Sequence, residues 1–310
     1  MAKVLVTGAA GFIGSAVVKQ LNAQGTPVVA VDGLLGGLYP TDEKIVRFEQ
    51  LKGLAGVETF ELDLREADLG ILPDDIEYVI NEAAMPGLGL SWMAFELYSS
   101  CNLSALSRLI EASTKWDLKK FIQISTSSVY GKSAVGDETQ ELKPVSPYGV
   151  TKLAAEQLVL AHHRDSGFPA MILRYFSVYG PGQRPDMAYR KFIDKAMKGE
   201  EITLFGSGEQ SRSNTFIDDC VSGTIAALTK GETGDRFNIS GDQERTINEA
   251  LAIIEENVGK QLSISRHPAA RGDQMRTRGD SSKAQRTLGF TSSTSLETGL
   301  SQQIEWQRTL

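Results

Sequence analysis

Tyr148 and Lys152 stand four residues apart in Tyr148-Gly149-Val150-Thr151-Lys152, a spacing that on a helix puts both side chains on one face. A phenol with an ordinary pKa near 10 is a poor base at neutral pH. Lowering it by about three units takes roughly 4 kcal/mol, which one cation about 4 Å away supplies at an effective dielectric near 20. Lys152 is a cation of the right kind, although at a greater distance it needs a second positive charge beside it. Upstream, Ser125-Thr126-Ser127-Ser128 closes an apolar run and offers hydroxyls that can hydrogen-bond an alcohol while Tyr148 takes its proton.

A second constellation opens the chain. Gly8-Ala9-Ala10-Gly11-Phe12-Ile13-Gly14 lies between a strand-like and a helix-like segment. Glycines there allow a tight turn and let backbone approach a pyrophosphate at the helix N-terminus, where free N–H groups and the helix dipole favour an anion. Asp32 follows the next strand, 18 residues beyond Gly14, where a carboxylate can hold an adenosine ribose. That charge opposes a 2′-phosphate, and no Arg follows before Arg47, so NAD is expected rather than NADP. Asp63, with Leu64 next to it, is a candidate adenine contact at the end of the third strand. Ala83 and Ala84 after the fourth strand are small enough to let backbone approach the cofactor. The oxidised nicotinamide is then the second positive charge that Tyr148 requires.

The elements that must position these groups alternate. Strands are expected at Val4–Thr7, Val28–Val31, Val57–Leu62, Tyr78–Ile80, Phe121–Ser125 and Met171–Arg174, and helices over about Gly11–Gln24, Ala94–Lys115 and Tyr148–Ser166. Strand–helix–strand repetition predicts an α/β fold, a doubly wound parallel (Rossmann) sheet covered by helices on both faces, with a smaller C-terminal α/β substrate-binding domain. We expect residues 1–176 to form the NAD-binding domain, with 214–242 returning to it. Residues 177–213 and 243–310 are expected to form the substrate-binding domain. The first of these stretches, rich in Gly and Pro, suits a loop-rich layer over the sheet's C-terminal edge. The last residues, through Ile304 and Trp306, suit an ordered helix.

Composition narrows the alternatives. With 32 Lys and Arg against 39 Asp and Glu, the net charge of −7 gives no general basic footprint for nucleic acid or anionic lipid. Two cysteines and three histidines leave neither a disulfide framework nor a Cys- or His-based metal site in prospect. No apolar run approaches the ~20 residues of a membrane span, and Met1-Ala2-Lys3 leads straight into a strand without a signal peptide. A cytoplasmic protein is expected.

These residues together resemble an extended short-chain dehydrogenase/reductase of the NAD-dependent nucleotide-sugar epimerase/dehydratase family. The likeness spans nearly the whole chain: Gly8 to Gly14, Asp32, Asp63, Asn102, Thr126 to Gly131, Tyr148 to Lys152, Arg174 to Gln183 and Phe216 to Asp219. It implies Thr126, Tyr148 and Lys152 as the catalytic trio, Asn102 as a cofactor-site residue, a tightly held NAD and a homodimer built on two helices per subunit, roughly 94–115 and 148–166. Dehydratases of the family carry Asp-Glu directly after the threonine, and decarboxylases a glutamate just before Val-Tyr-Gly. Here Ser127 and Ser128 stand instead, so no acid and base for elimination are evident. Simple 4-epimerisation needs neither.

Thr126, Ser127 and Ser128 with Ser177 resemble the hydroxyl cluster of bacterial UDP-glucuronate 4-epimerases, where such groups cradle the uronate carboxylate. The same hydroxyls also fit a neutral UDP-glucose or UDP-N-acetylglucosamine. A dehydratase, a decarboxylase and a non-catalytic NAD-bound scaffold complete the alternatives. For the nucleotide half, Arg184, Arg212 and Arg271 are candidate diphosphate anchors, since guanidinium suits phosphate bidentately. Phe205 is a candidate uracil-pocket residue, Gln210 a candidate substrate-binding residue, and Asp273 a candidate ribose contact. The chain departs from the family pattern at Asn81-Glu82, at Met85-Pro86-Gly87-Leu88-Gly89, at Ser213-Asn214 and in the spacing of Arg271.

Overall fold

Short runs of Val, Ile and Leu that are apolar on both faces can be buried only between two layers of helices. The computed structural model, which describes residues 2–268 and 274–310, does this with seven strands. They are β1 (Lys3–Thr7), β2 (Val28–Asp32), β3 (Val57–Glu61), β4 (Ile76–Asn81), β5 (Lys120–Thr126), β6 (Ala170–Tyr175) and β7 (Arg236–Ile239). They form one parallel sheet in the order β7-β6-β5-β4-β1-β2-β3. The strand order reverses between β1 and β4, and ligands of open α/β sheets bind at such a switch point.

One face is covered by α1 (Phe12–Ala23) and by the helix Ile217–Thr229, whose Val17, Val18, Leu21, Val221 and Leu228 join a core with Val4, Val6, Ile80, Ile122 and Leu173. The other face is covered by Ala105–Ser113 and Pro147–Ser166, packed on Leu5, Val29, Val79, Phe121 and Ile172. The expected helix over Ala94–Lys115 is a nearly continuous run from Phe95 to Ser113, widened to a π-turn at Ser100–Ser104.

Two expectations need correction. The stretch 177–213 is more regular than a loop layer, because it contains the helix Ala188–Lys198 and the strand Ile202–Phe205. The Gly-rich segment after β2 is likewise followed by an unforeseen helix, Asp42–Lys52. A second, four-stranded sheet joins Glu244–Thr246, Ser211–Ser213, Arg276–Gly279 and Ser133–Gly136. It lets Ser133–Gly136, soon after β5, pair with Arg276–Gly279 far along the chain. The chain ends in the helix Leu296–Gln307, with Leu300 and Ile304 buried. Among the described residues no helix is long and apolar enough to cross a membrane.

Candidate active site

The turn between β1 and α1 is set by close approach. Gly8 has φ +66°, and a Cβ there would lie 2.8 Å from the backbone nitrogen of Ala83. A Cβ on Gly14 would run into the Gly8 carbonyl. α1 begins at Gly11 with no side-chain cap, so its first N–H groups are left for an anion. Asp32 at the end of β2 is folded onto this turn: Oδ2 accepts from Ala10 N at 2.9 Å and Oδ1 from Leu34 N at 2.8 Å. Burial pushes its carboxyl up, while those two backbone donors oppose the shift. Each oxygen keeps a lone pair for a ribose hydroxyl. The glycine turn, uncapped helix and buried carboxylate fit the pyrophosphate and adenosine ribose of NAD.

A cleft of about 330 Å³ runs from this turn over the ends of β1, β4, β5 and β6. Gly8, Gly11, Phe12, Ile13, Gly14, Asp32, Asp63, Leu64, Ala83 and Ala84 line one part of it. Thr126, Tyr148, Lys152, Ser177 and Arg184 line the other. Asp63 is held by Arg65, which forks onto both carboxylate oxygens and keeps its carboxyl below the usual range. Beneath the cleft, Thr7 donates to Asn81 at 2.5 Å and Asn81 to Gln123 at 2.8 Å. Thr7 also accepts from Ala83 N, so one buried chain ties β1, β4 and β5 together under the site.

Tyr148 and Lys152 reach the cleft because Ser146 caps their helix, accepting from Gly149 N at 3.1 Å, with Pro147 in the first turn. A Cβ on Gly149 would meet the Ser128 carbonyl at 2.8 Å. Glycine after the tyrosine therefore lets this helix approach the 3₁₀ turn Ser127–Tyr130. Burial pushes the Tyr148 phenol up, against a Thr126 hydrogen bond and the Arg184 charge. Lys152, also buried, is lowered to about 8, with the carboxylates of Glu82 and Glu156 working against the loss of charge. The Tyr98 ring packs edge-on against Tyr148, centroids 6.2 Å apart.

The other expected residues divide between the cleft and its surroundings. Asn102 stands behind the cleft, where it accepts from Met85 N at 2.7 Å and donates to the Met85 carbonyl and to Thr151; it fixes the loop after β4 to the catalytic helix. Ser127 is buried and donates to Gln274 at 3.3 Å, and Ser128 is bonded to Thr126. Ser177 takes φ +38°, a strained conformation for serine, immediately after β6. The Arg184 guanidinium is forked onto Asp186 at 2.9 and 3.0 Å. Phe205, Gln210 and Arg212 do not line this cleft. The Phe205 ring is half-exposed near His267, Gln210 bonds Phe205 and Gly208 backbone, and Arg212 sits in the four-stranded sheet. Arg271 and Asp273 lie outside the described residues.

Sequence reasoning passes over Tyr39, Lys44, Glu82 and Tyr175, all of which line the cleft. The absence of a carboxyl group near Tyr148, expected from Ser127 and Ser128, needs correction. Glu82, directly after β4, lines the same cleft as Tyr148 and accepts a hydrogen bond from Tyr175.

Residues 4–240 match the NAD dependent epimerase/dehydratase family. The protein belongs to that family. The chain is 38% identical, over 99% of its length and 98% of the relative's, to the uncharacterised UDP-glucose epimerase YtcB of Bacillus subtilis. It is 34% identical to the UDP-glucuronate 4-epimerase of Thermodesulfobacterium geofontis, over 98% of this chain and 95% of that one. The crystal structure of a UDP-glucuronic acid 4-epimerase from Bacillus cereus, in complex with UDP-glucuronic acid and NAD, superposes with a TM-score of 0.95 at 38% identity, covering 99% of each chain. NAD is the cofactor of this enzyme family.

Proposed function

We propose that the protein is an NAD-dependent UDP-sugar 4-epimerase acting on UDP-glucuronate to give UDP-galacturonate. The observation that carries this reading is the pairing of Tyr148 and Thr126 at the mouth of the NAD cleft, with serines at 127 and 128. Tyr148 takes the proton of the sugar's 4-hydroxyl, with Thr126 hydrogen-bonded to the same group and Lys152 holding positive charge beneath the phenolate. Bound NAD accepts and returns the C4 hydride. The pocket has only to let the 4-keto sugar turn over before the hydride comes back on its other face. Thr126 and Ser177 offer hydroxyls toward a uronate carboxylate, and Arg184 adds positive charge. The Thr126–Ser128 turn itself carries no carboxyl group for water elimination, and Glu82 is engaged by Tyr175.

Purified protein incubated with UDP-glucuronate should give UDP-galacturonate, seen as inversion at C4 in the sugar ¹H NMR spectrum. Unchanged C4 stereochemistry would overturn the reading. A 4-keto product or released CO₂ would replace it with a dehydratase or a decarboxylase. The Bacillus subtilis relative's name, and the engagement of Ser127 by Gln274, favour UDP-glucose as the second candidate, which the same assay distinguishes.

Two further parts of the proposal concern assembly and location. Phe95 and Val150, about half exposed, lie on the helical run 95–113 and on the catalytic helix, a pair suited to a four-helix contact between two copies. Light scattering on the eluted peak should give twice the chain mass, and a monomer at working concentration would remove the dimer. Cys101 and Cys220 are buried free thiols, which suits the reducing cytoplasm.

A further inference from the structure

Glu82 is the acidic group of the cleft that the proposed chemistry leaves unused. It follows β4 directly and faces Tyr148 and Lys152 electrostatically. Tyr175 on β6 donates to its Oε1 at 2.9 Å. The Tyr175 hydroxyl is also 2.7 Å from Thr224 Oγ1, and Thr224 donates to the Cys220 carbonyl at 2.8 Å. Three side chains from β4, β6 and the helix Ile217–Thr229 thus form one hydrogen-bonded line ending on backbone. The titratable or charged groups that face Glu82 are Tyr175 from β6, Tyr148 and Lys152 from the catalytic helix, and Cys220 from Ile217–Thr229.

The line works in two directions. With Glu82 ionised, Tyr175 donates to it. With Glu82 protonated, each group can donate one step onward, from Glu82 to Tyr175, to Thr224 and to the Cys220 carbonyl. Either charge state is therefore accommodated without moving a heavy atom. Hydride transfer requires the nicotinamide ring beside the carbon that Tyr148 serves, and Glu82 lines that same cleft, within reach of the ring's charge. The ring is cationic when oxidised and neutral when reduced.

We propose that Glu82 is a positioning residue for the redox step, a carboxylate beside the oxidised cofactor that takes up one proton from water when the reduced cofactor is bound. Its charge then cancels that of the ring and disappears with it, which keeps NADH from being expelled by an uncompensated anion. Burial pushes the Glu82 carboxyl up to about 7, against the Tyr175 hydrogen bond and the Lys152 charge, which places the exchange in the neutral range.

The test requires no sugar, so it stands apart from the choice of substrate. The full-length protein is equilibrated with mixtures of NAD⁺ and NADH from about pH 6 to about pH 8.5. Bound NADH is read by fluorescence, and the retained nucleotides are quantified. The preference for NAD⁺ over NADH should rise about tenfold between about pH 6 and about pH 7.5 as Glu82 ionises, and Glu82→Gln should be level over that interval, below the titration of Lys152 at about 8. A level wild-type response, or the wild-type slope persisting in Glu82→Gln, would overturn the proposal. Tyr175→Phe removes the donor that favours the ionised carboxylate, so the midpoint should move to higher pH with the slope kept. If Glu82→Gln fails to bind either nucleotide, this second variant decides, and an unmoved midpoint refutes the assignment.

Discussion

Tyr148→Phe should lower epimerase turnover by about 10²–10⁴-fold, the range for losing a positioned acid–base group, while NAD binding survives. The variant removes one oxygen and keeps the ring that Tyr98 packs against edge-on, so the fold has no reason to change. The size of the loss follows from the environment. Burial pushes the phenol up, opposed only in part by the Thr126 hydrogen bond and the Arg184 charge, while Lys152, lowered to about 8, is mostly ammonium at neutral pH. The remaining positive charge comes with the oxidised cofactor, so the base becomes strong only when the hydride acceptor is in place. Turnover of purified wild type and variant, with bound NAD measured in each, checks this. Equal turnover would remove Tyr148 from the chemistry, and a protein that served only as an NAD-bound scaffold would be indifferent to the change.

Much of this site is legible in the sequence because its parts are local. Gly8 to Gly14 and Asp32 belong to one strand–helix–strand unit, and Tyr148 and Lys152 lie one helical turn apart. The sheet is legible for a similar reason, since strands buried on both faces stay apolar along their length. The helix Ala188–Lys198 carries a readable pattern, burying Tyr189, Phe192, Ile193 and Ala196. The Gly and Pro residues that precede it dominate the composition of the stretch and hide it. Asp42–Lys52 buries only Phe48 and Leu51 and offers little periodicity to read, so Lys44 goes unnoticed beside Asp32. Glu82 stands out in the sequence only as a departure from the family pattern: its partner Tyr175 is 93 residues away, and a carboxylate at a strand end ordinarily reads as surface. Asn102 shows the converse. Its place in a family motif suggests cofactor contact, whereas its side chain is spent on Met85 and Thr151.

Arg174→Met should destabilise the protein by about 3–5 kcal/mol, the cost of leaving one half of a buried ion pair without its partner. Arg174 and Glu156 are 1% and 0% exposed and meet through two hydrogen bonds, 2.9 and 2.6 Å. Ser125 donates the only other side-chain hydrogen bond to Glu156 found among the described residues, at 2.5 Å. Removing the guanidinium therefore strands a carboxylate at the junction of β5, β6 and the catalytic helix. It also frees Tyr130, to which Arg174 donates at 2.7 Å and which itself donates to Asn238 on β7. Glu156 lies one helical turn beyond Lys152 and helps to keep it charged, so a shifted Glu156 disturbs the Lys152 ammonium as well. Urea unfolding followed by circular dichroism measures the loss. Since the pair's desolvation cost offsets much of its attraction, Arg174→Met combined with Glu156→Leu should recover most of the stability but not the activity. A single variant within about 1 kcal/mol of wild type, or a double variant no more stable than the single one, would show that the pair does not hold the catalytic helix to the sheet.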